Sequence, residues 1–292
     1  MIKRVHRSRR FAAILASTMA ASVLSGQAGA AELPANVAAA GRLTIGVNCS
    51  YPPAGYVGLN GQPAGYEIAI AKRVAEAAFP GRDALVTQCV SDANRIPFLQ
   101  SGKVDLVIAA LAWTPARAAE IDFSDPIWIS NLQLIVPNDS TIDSYDDVVS
   151  KTVVTTAGNI YQPWLERCQP GVSIVTAQSP SDASTMLVQG RADAMAYIDV
   201  YAFNFTQKNN RFKLAGRLAS SAVQGIGMKK GNQAMADWLN PVLADLREKD
   251  AFFAAFNEEV KDKAFAAKYR DLVPGPGHPI AYKVVTDAPC VN

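Results

Sequence analysis

The chain has 292 residues, of which 49% are hydrophobic, and its formal net charge is only +2. So small a net charge, without a large basic patch, argues against binding to nucleic acid. The length and the low charged fraction of 18% predict a substantial core, either in one large α/β domain or in two lobes.

The first 30 residues have the composition of a secretory signal peptide. A basic beginning is followed by a largely apolar run at residues 11–24 and by small residues at positions 28–30. About 14 apolar residues are fewer than the roughly 20 that span a bilayer, although an N-terminal membrane anchor is the alternative interpretation. The residues after Arg9 and Arg10 fit a twin-arginine signal poorly, and no cysteine follows the apolar run closely enough for a lipoprotein anchor.

We therefore expect residues 1–30 to be removed and the mature protein to be soluble in the periplasm, without a lipid anchor. Once the five basic residues of this segment are gone, 23 basic and 26 acidic residues remain, so the mature chain carries a net charge of −3. The basic character of the whole chain belongs to the signal peptide.

The first part of the mature chain alternates between predicted strands and helices. Buried strands are predicted at residues 43–47, 84–90 and 104–111, and helices at 65–79 and 93–101. In the first of these helices, apolar residues recur at helical spacing and form one face. Strands that alternate with helices favour a parallel sheet with right-handed crossovers.

A second unit of the same kind follows. A strand at 131–137 ends in a polar stretch that we interpret as a crossing between lobes. The strands and helices predicted after it are 151–156, 161–168, 172–177, 181–189, 193–198 and 212–218. The segment 224–230 then returns to the first unit, where the helices predicted between residues 233 and 269 would pack.

This order of elements is that of one α/β unit interrupted by another. It predicts a hinged, two-lobed α/β fold in which each lobe has a doubly wound, mostly parallel sheet and the ligand lies in the cleft. Residues 31–134 and 228–292 would form lobe 1, and residues 135–227 would form the inserted lobe 2.

All four cysteines lie in the exported part of the chain, where disulfide bonds form. Cys49 follows the first predicted strand and Cys89 lies near the end of the second, and we expect these strands to be neighbours in a βαβ unit. A Cys49–Cys89 bond would leave Cys168 and Cys290 as the second pair, which would tie the C-terminal tail to lobe 2. The sequence alone does not decide the connectivity.

The residue types that most enzymes and metal sites use are scarce in the mature chain. Its one histidine, His278, lies in a tail rich in proline and glycine, which argues against a histidine-rich zinc site and a Ser-His-Asp triad. The sequence also lacks a Cys-x-x-Cys motif, a P-loop and a GxGxxG motif after a strand. We therefore expect a binding protein that needs neither a metal nor another cofactor, rather than an enzyme.

A single arginine, Arg117, follows the apolar strand 104–111 and precedes a Phe-Ser-Asp-Pro sequence that predicts a turn at residues 123–126. Ligand sites in open α/β sheets lie beyond the carboxyl ends of such strands, and a guanidinium group matches a carboxylate. Here the sequence resembles the extracellular solute-binding proteins of family 3, the receptors of ABC importers for polar amino acids. The resemblance implies that Arg117 binds the ligand's α-carboxylate, whereas the alternative is a surface arginine paired with Glu120.

The resemblance also implies the fold of type II periplasmic binding proteins and further ligand contacts in lobe 2. Asn159 and Ile160 lie at a predicted helix start, where backbone N–H groups bind anions, although Asn159 fits an ordinary helix cap as well. The family's ammonium-binding aspartate is expected at position 198, which is Ile198 here, with Asp199 next to it. Because a shift of one residue on a strand reverses the side-chain direction, Asp199 is either the ammonium ligand or a cap for the following helix.

Lobe 1 departs from the family pattern as well. Ala112 replaces a serine or threonine that is common in the family, although the carbonyl group of Ala110 can still accept a hydrogen bond from an ammonium group. Tyr51 matches the aromatic residue that covers the ligand, whereas its alternative role is to pack on Pro53. The weakened polar contacts leave room for a carboxylate ligand that is not an α-amino acid.

Three more residues are candidates for the pocket that receives the ligand's side chain: Asn48, Asp92 and Arg95. In family members that bind acidic amino acids, an arginine like Arg95 meets the distal carboxylate. Here Asp92, three residues earlier, is placed to neutralise Arg95. Acidic or polar ligands are therefore favoured only slightly over basic ones.

The combined features predict a monomeric periplasmic receptor that binds a polar amino acid, with acidic ones included, or a related carboxylate and delivers it to a membrane ABC permease. One alternative is a periplasmic enzyme on the same fold, similar to cyclohexadienyl dehydratases, with Asp92 or Asp199 as the general acid. A second alternative is a soluble sensor that presents its liganded form to a membrane receptor.

Overall fold

The computed structural model describes residues 1, 31–282 and 290 of the chain. The fold begins at residue 31, and the predicted signal peptide lies outside the described residues except for Met1. Within the described ranges, no helix is both long enough and apolar enough to cross a lipid bilayer.

The first part of the fold contains most of the elements expected there. It also contains a small antiparallel sheet that was not predicted, made of the short strands Ser50–Tyr51, Gly55–Val57 and Pro63–Ala64. Helix α2 buries one face because its apolar residues recur every three to four positions. The elements are α1 (Ala35–Ala40), β1 (Leu43–Asn48), β2 (Ser50–Tyr51), β3 (Gly55–Val57), β4 (Pro63–Ala64), α2 (Tyr66–Ala78), β5 (Leu85–Val90), α3 (Arg95–Gln100), β6 (Leu106–Ile108) and α4 (Pro115–Glu120).

Two long strands dominate the middle of the sheet, β7 (Ile121–Pro137) and β11 (Phe212–Lys229), and they pair antiparallel. The predicted turn at residues 123–126 is therefore wrong, because Phe123 pairs with Gly227 and Pro126 with Gly225 inside this ladder. The ladder shifts register on both sides of Gly225. Such irregularities are where a strand tolerates a proline, which cannot donate a ladder hydrogen bond.

Between the long strands lies a second alternation of strands and helices, close to the predicted segments. Its elements are a 3₁₀ turn (Asp146–Val148), β8 (Thr152–Thr156), α5 (Tyr161–Cys168), β9 (Ser173–Ala177), α6 (Pro180–Val188), β10 (Ala194–Ile198) and α7 (Asp199–Lys208). After β11 the chain forms α8 (Gln233–Glu248), α9 (Ala251–Glu259), α10 (Lys263–Lys268) and a 3₁₀ turn (Arg270–Leu272).

The large sheet has eight strands in the order β5-β1-β6-β11-β7-β10-β8-β9. The strands on each side of the central pair run parallel to their outer neighbours, as in β1 with β5 and β6, and β8 with β9 and β10. The predicted lobe boundaries, after residues 134 and 227, fall inside β7 and β11. The division of the chain into 31–134 plus 228–292 and 135–227 stays a prediction.

Two disulfide bonds join Cys49 to Cys89 and Cys168 to Cys290. The first lies where the adjacent strands β1 and β5 end. The second attaches the C-terminal tail to the end of α5. Nearby in the chain, Tyr282 stacks on Trp113 and donates a hydrogen bond from its hydroxyl group to the backbone oxygen of Ser124, at 2.7 Å.

Glu67, on the first turn of α2, is a fully buried acid. Its Oε1 atom accepts a 2.7 Å hydrogen bond from the backbone N–H of Ala110, just beyond β6. Burial raises the pKa of Glu67 to about 7, even though this hydrogen bond and the nearby Arg95 favour the charged form. The structure therefore keeps a carboxyl group whose charge changes near neutral pH directly behind the ends of the strands.

Replacing both Cys49 and Cys89 by serine should lower the free energy of unfolding by about 3–4 kcal/mol, because their bond closes a 40-residue loop in the unfolded chain. Urea unfolding followed by circular dichroism measures this change. Addition of a reductant to the double variant should then remove only the contribution of Cys168–Cys290. An unfolding midpoint equal to that of the unsubstituted protein would contradict the prediction.

Replacing Glu67 by glutamine should flatten the pH dependence of stability. Because the pKa of Glu67 is raised in the folded state, the stability it contributes is present below the unfolded pKa and is lost as pH rises through about 7. Between pH 4 and pH 8 the E67Q variant should gain about 3 kcal/mol relative to the unsubstituted protein, as measured by urea unfolding. The control is Glu76→Gln, an exposed acid on the same helix, for which no such gain is expected.

Candidate functional site

A nearly closed cavity of about 10 Å³ lies where the carboxyl ends of β6, β8 and β10 face the loop after β5. This is the position at which open α/β sheets bind ligands. The residues that line it come from both sides of the central strand pair and from β11 itself. They are Asp92, Arg95, Ala110, Ala112, Arg117, Asn159, Ile160, Tyr161, Tyr197, Ile198 and Gln224.

Arg117 extends from the first half of α4 into this cavity. Thr114 caps the helix, since its Oγ1 atom accepts a 3.1 Å hydrogen bond from the Arg117 N–H. The guanidinium group donates from Nη1 to the Ala112 oxygen at 2.8 Å and from Nη2 to the Gly158 oxygen at 2.9 Å. Burial, with a smaller contribution from Arg95, lowers the pKa of Arg117 to about 9, so the group remains charged at neutral pH.

Gly158 lies where two loops approach each other closely. Its φ is +83°, and a Cβ atom built on it would lie 2.9 Å from both the Asp92 oxygen and the Ala93 Cα atom. A side chain at this position would therefore collide with backbone atoms that have little room to move. Only glycine combines this conformation with so close an approach.

Asp92 and Arg95 form a buried ion pair at the start of α3, with side-chain exposures of 5% and 2%. Arg95 also donates from Nη1 to the backbone oxygen of Ala109 at 2.7 Å and, at 3.3 Å, to that of Ala110. The second oxygen of Asp92 accepts hydrogen bonds from the hydroxyl groups of Thr156, at 2.6 Å, and Tyr197, at 3.3 Å. The pair thus connects the loop after β5 to strands β8 and β10.

Asn159 caps α5 rather than leaving its side chain free. Its Oδ1 atom accepts from the N–H groups of Tyr161, at 2.8 Å, and Gln162, at 3.1 Å. Its Nδ2 atom donates to the hydroxyl oxygens of Thr155 and Thr156, at 2.6 and 2.8 Å. The side chain of Asn159 therefore acts as a helix cap. In addition, both Asn159 and Ile160 line the cavity.

Asp199 begins α7 and does not line this cavity, whereas Ile198 does. Its carboxylate accepts hydrogen bonds from Asn131 Nδ2 at 2.8 Å and from the Val200 N–H at 2.9 Å. Burial raises the pKa of Asp199. The carboxylate of Asp199 is thus engaged at the start of α7.

Asn48 and Tyr51 are buried near the site but are not among the residues that line the cavity. The Tyr51 ring packs within an aromatic cluster, with centroid distances of 5.5 Å to Tyr197, 5.7 Å to Tyr201 and 6.5 Å to Trp128. The structure therefore brings together six of the nine predicted ligand residues: Asp92, Arg95, Ala110, Arg117, Asn159 and Ile160.

Gln224 was not identified from the sequence, although a signal was present. It is the polar residue in the apolar stretch 222–228 of β11. Its side chain is 1% exposed, and its Nε2 atom donates to the hydroxyl oxygen of Ser130 at 2.7 Å. Its Oε1 atom has no hydrogen-bond partner. A buried glutamine with a free acceptor at a cavity wall is a feature of a binding site.

Three comparisons with known proteins identify the family. The model of the bacterial extracellular solute-binding proteins, family 3, matches residues 43–258. The L-cystine-binding protein TcyJ of Escherichia coli K12 is 28% identical over 222 residues, which cover 75% of this chain and 82% of the relative. The ABC transporter glutamine-binding protein GlnH of Bacillus subtilis is 25% identical over 204 residues, which cover 70% and 75%.

Among solved structures, the cysteine-binding protein from Campylobacter jejuni matches with a TM-score of 0.76 at 29% identity, over 80% of this chain and 96% of that chain. The eight-stranded sheet, its flanking helices and this match establish the two-lobed, type II periplasmic binding protein fold. Since the family model covers well over half of the sequence, the chain belongs to the bacterial extracellular solute-binding proteins of family 3.

Proposed function

We propose that this protein is the periplasmic solute-binding component of an ABC importer and that it binds a small polar amino acid or related carboxylate in the cavity. The observation that carries the proposal is the charged Arg117 at the carboxyl ends of the strands. The two backbone oxygens that it contacts lie on opposite sides of the cavity. Relatives named for cystine, glutamine and cysteine binding support an amino acid-like ligand.

In this proposal the ligand's carboxylate replaces one or both backbone oxygens at Arg117. A carboxylate accepts two parallel hydrogen bonds from a guanidinium group, and such charge-assisted bonds are stronger than those to a neutral carbonyl group. The carbonyl group of Ala110 and the Asp92–Arg95 pair form the adjoining wall. Asp199 would stabilise Asn131 and the start of α7 rather than contact the ligand, because both its oxygens are engaged there.

The proposed binding cycle includes opening and closing of the cleft about β7 and β11. Three hydrogen bonds join the two sides of the cavity: Asp92 with Thr156, Asp92 with Tyr197, and Arg117 with Gly158. These bonds must break before a solute can enter. A ligand that contacts both sides would then favour the closed form, in proportion to its additional contacts in that form.

A transport role without covalent chemistry fits the site better than catalysis. Each acid that would serve in a dehydratase-like reaction is already engaged, Asp92 by Arg95 and Asp199 by Asn131. The relatives are binding proteins. The proposed partner is a membrane ABC permease, the proposed state is a monomer, and the signal-like N-terminus and two disulfide bonds favour the periplasm.

Replacing Arg117 by alanine should weaken ligand binding at least about 100-fold, because a charge-assisted, bidentate contact is lost from a buried site. A thermal-shift screen of the mature protein against amino acids and small organic acids, followed by calorimetry, measures this change. The control is Arg191→Ala, an exposed arginine outside the cavity, which should bind normally. Unchanged affinity in R117A would remove the basis of the proposed function.

Replacing Gly158 by alanine should prevent full closure and weaken binding, because the new Cβ atom would lie 2.9 Å from the backbone of Asp92 and Ala93. Small-angle X-ray scattering should show a smaller ligand-induced decrease in the radius of gyration than in the unsubstituted protein. The matched control is Gly190→Ala, which has a similarly positive φ of +69° but no heavy atom within 4 Å of its Cβ position. Equal compaction in both variants would contradict the steric argument.

A further inference from the structure

We propose that Gln224 selects the ligand, and that the preferred ligand is a small 2-hydroxycarboxylate anion rather than the corresponding α-amino acid. This inference rests on the proposed function, in which Arg117 binds a carboxylate. It identifies the chemical group that the ligand carries on the carbon atom next to that carboxylate.

Gln224 lies next to the proposed carboxylate position. Its backbone pairs with that of Ala112 in an isolated antiparallel bridge, and the Ala112 oxygen accepts a hydrogen bond from Arg117. Both Gln224 and Ala112 line the cavity. Arg117 and Gln224 therefore face the same cavity, on neighbouring parts of its wall.

The side chain of Gln224 has one hydrogen-bonding capacity left for a ligand. Ser130 accepts from Nε2, and Ser130 is itself within 3.3 Å of the Tyr161 hydroxyl group, so the amide nitrogen is held in place. Oε1 is buried and has no hydrogen-bond partner among the residues that the structure describes. A buried acceptor without a donor costs roughly 1–3 kcal/mol, and a ligand that supplies the donor recovers this loss.

The charges of the described lining residues decide between a hydroxyl and an ammonium donor. The cavity wall carries the two cations Arg95 and Arg117 and one anion, Asp92, so a single carboxylate neutralises it. Adding an ammonium group would restore a net positive charge in a buried site. Such a group needs an ionised partner, which Gln224 is not.

None of the three buried acids near the site supplies that partner. Asp92 already contacts Arg95, Thr156 and Tyr197, and Asp199 does not line the cavity. Glu67 lies behind Ala110 and likewise is not part of the wall. A hydroxyl group satisfies Oε1 of Gln224 without adding charge, and Ala112, Ile160 and Ile198 offer apolar contacts to a short carbon chain.

The cavity is nearly closed in this form. Its volume of about 10 Å³ is about the space that one water molecule occupies, so a ligand enters only after the cleft opens. A site that hydrogen-bonds a hydroxyl group discriminates strongly against an analogue that lacks it, because its own polar atom is left unpaired.

The test compares three sets of ligands that share a carbon skeleton: glycolate, glycine and acetate; L-lactate, L-alanine and propionate; and L-malate, L-aspartate and succinate. Calorimetry on the oxidised, mature protein gives the affinities. The expected result is that, in at least one set, the hydroxy acid binds about tenfold or more tightly than both the amino acid and the unsubstituted acid. An amino acid that binds more tightly than its hydroxy acid overturns the inference.

Two substitutions at Gln224 test the mechanism. Gln224→Met removes the acceptor with little change in volume, so the hydroxy acid and the unsubstituted acid should bind with similar affinities. Gln224→Glu adds a charge, so the amino acid should now bind more tightly than the hydroxy acid. The control is Gln133→Met, a buried glutamine on β7 that donates to the Ala215 backbone oxygen and lies outside the cavity wall, and it should retain the original preference.

The remaining outcomes separate this inference from the proposed function. If Q224M weakens all three ligands of a set equally, Gln224 has only a structural role and the inference fails. If Q224E abolishes binding of every carboxylate, including the amino acid, the amide group donates to the carboxylate instead, and the inference again fails. If the unsubstituted protein is folded and yet binds none of the ligands, both the inference and the proposed function fail.

Discussion

The antiparallel pairing of β7 with β11 is the constraint on which the rest of the structure depends. Every other strand of the large sheet is attached, directly or through a neighbour, to one of these two. The pairing also brings β6 and β10 to opposite sides of one ladder, so their carboxyl ends face a common space. The irregular register near Gly225 allows the ladder to include Pro126 and to present Gln224 to that space.

Buried charge is the second feature that organises the site. Two arginines and an aspartate in one small cavity would be costly if they were isolated, and each is compensated by specific partners. Arg95 contacts Asp92 and two carbonyl oxygens, and Arg117 contacts two carbonyl oxygens. Because Arg117 has only neutral partners, it is the group that gains most from an incoming anion.

The sequence predicts the regular part of the fold well, because buried strands and amphipathic helices have clear periodicities. Strand β1, helix α2 and helix α5 all lie within about two residues of their predicted bounds. The two long strands were predicted only in pieces, since Pro126 and the polar residues beside it have the chemistry of a turn. The residues that pair in the two strands are 75 (Pro137 with Phe212) to 108 (Ile121 with Lys229) positions apart in the chain, so the pairing is not visible in a local pattern.

For the site, the sequence predicts which residues follow the strands but not where their side chains point. Arg117 and the Asp92–Arg95 pair reach the cavity because each follows a strand end at the expected distance. Asp199, one residue beyond the expected position, begins α7 and accepts hydrogen bonds from Asn131 and the Val200 N–H. Gln224 was overlooked because one polar residue in an apolar strand carries no motif, and its meaning depends on the unpaired atom that only the fold reveals.

The C-terminal tail limits how the protein can be shortened or extended. The family match ends at residue 258, yet Tyr282 covers Trp113 and bonds to Ser124, and Cys290 pairs with Cys168. A truncation at the edge of the family match would expose an indole ring close to the α4 helix and leave a free thiol on α5.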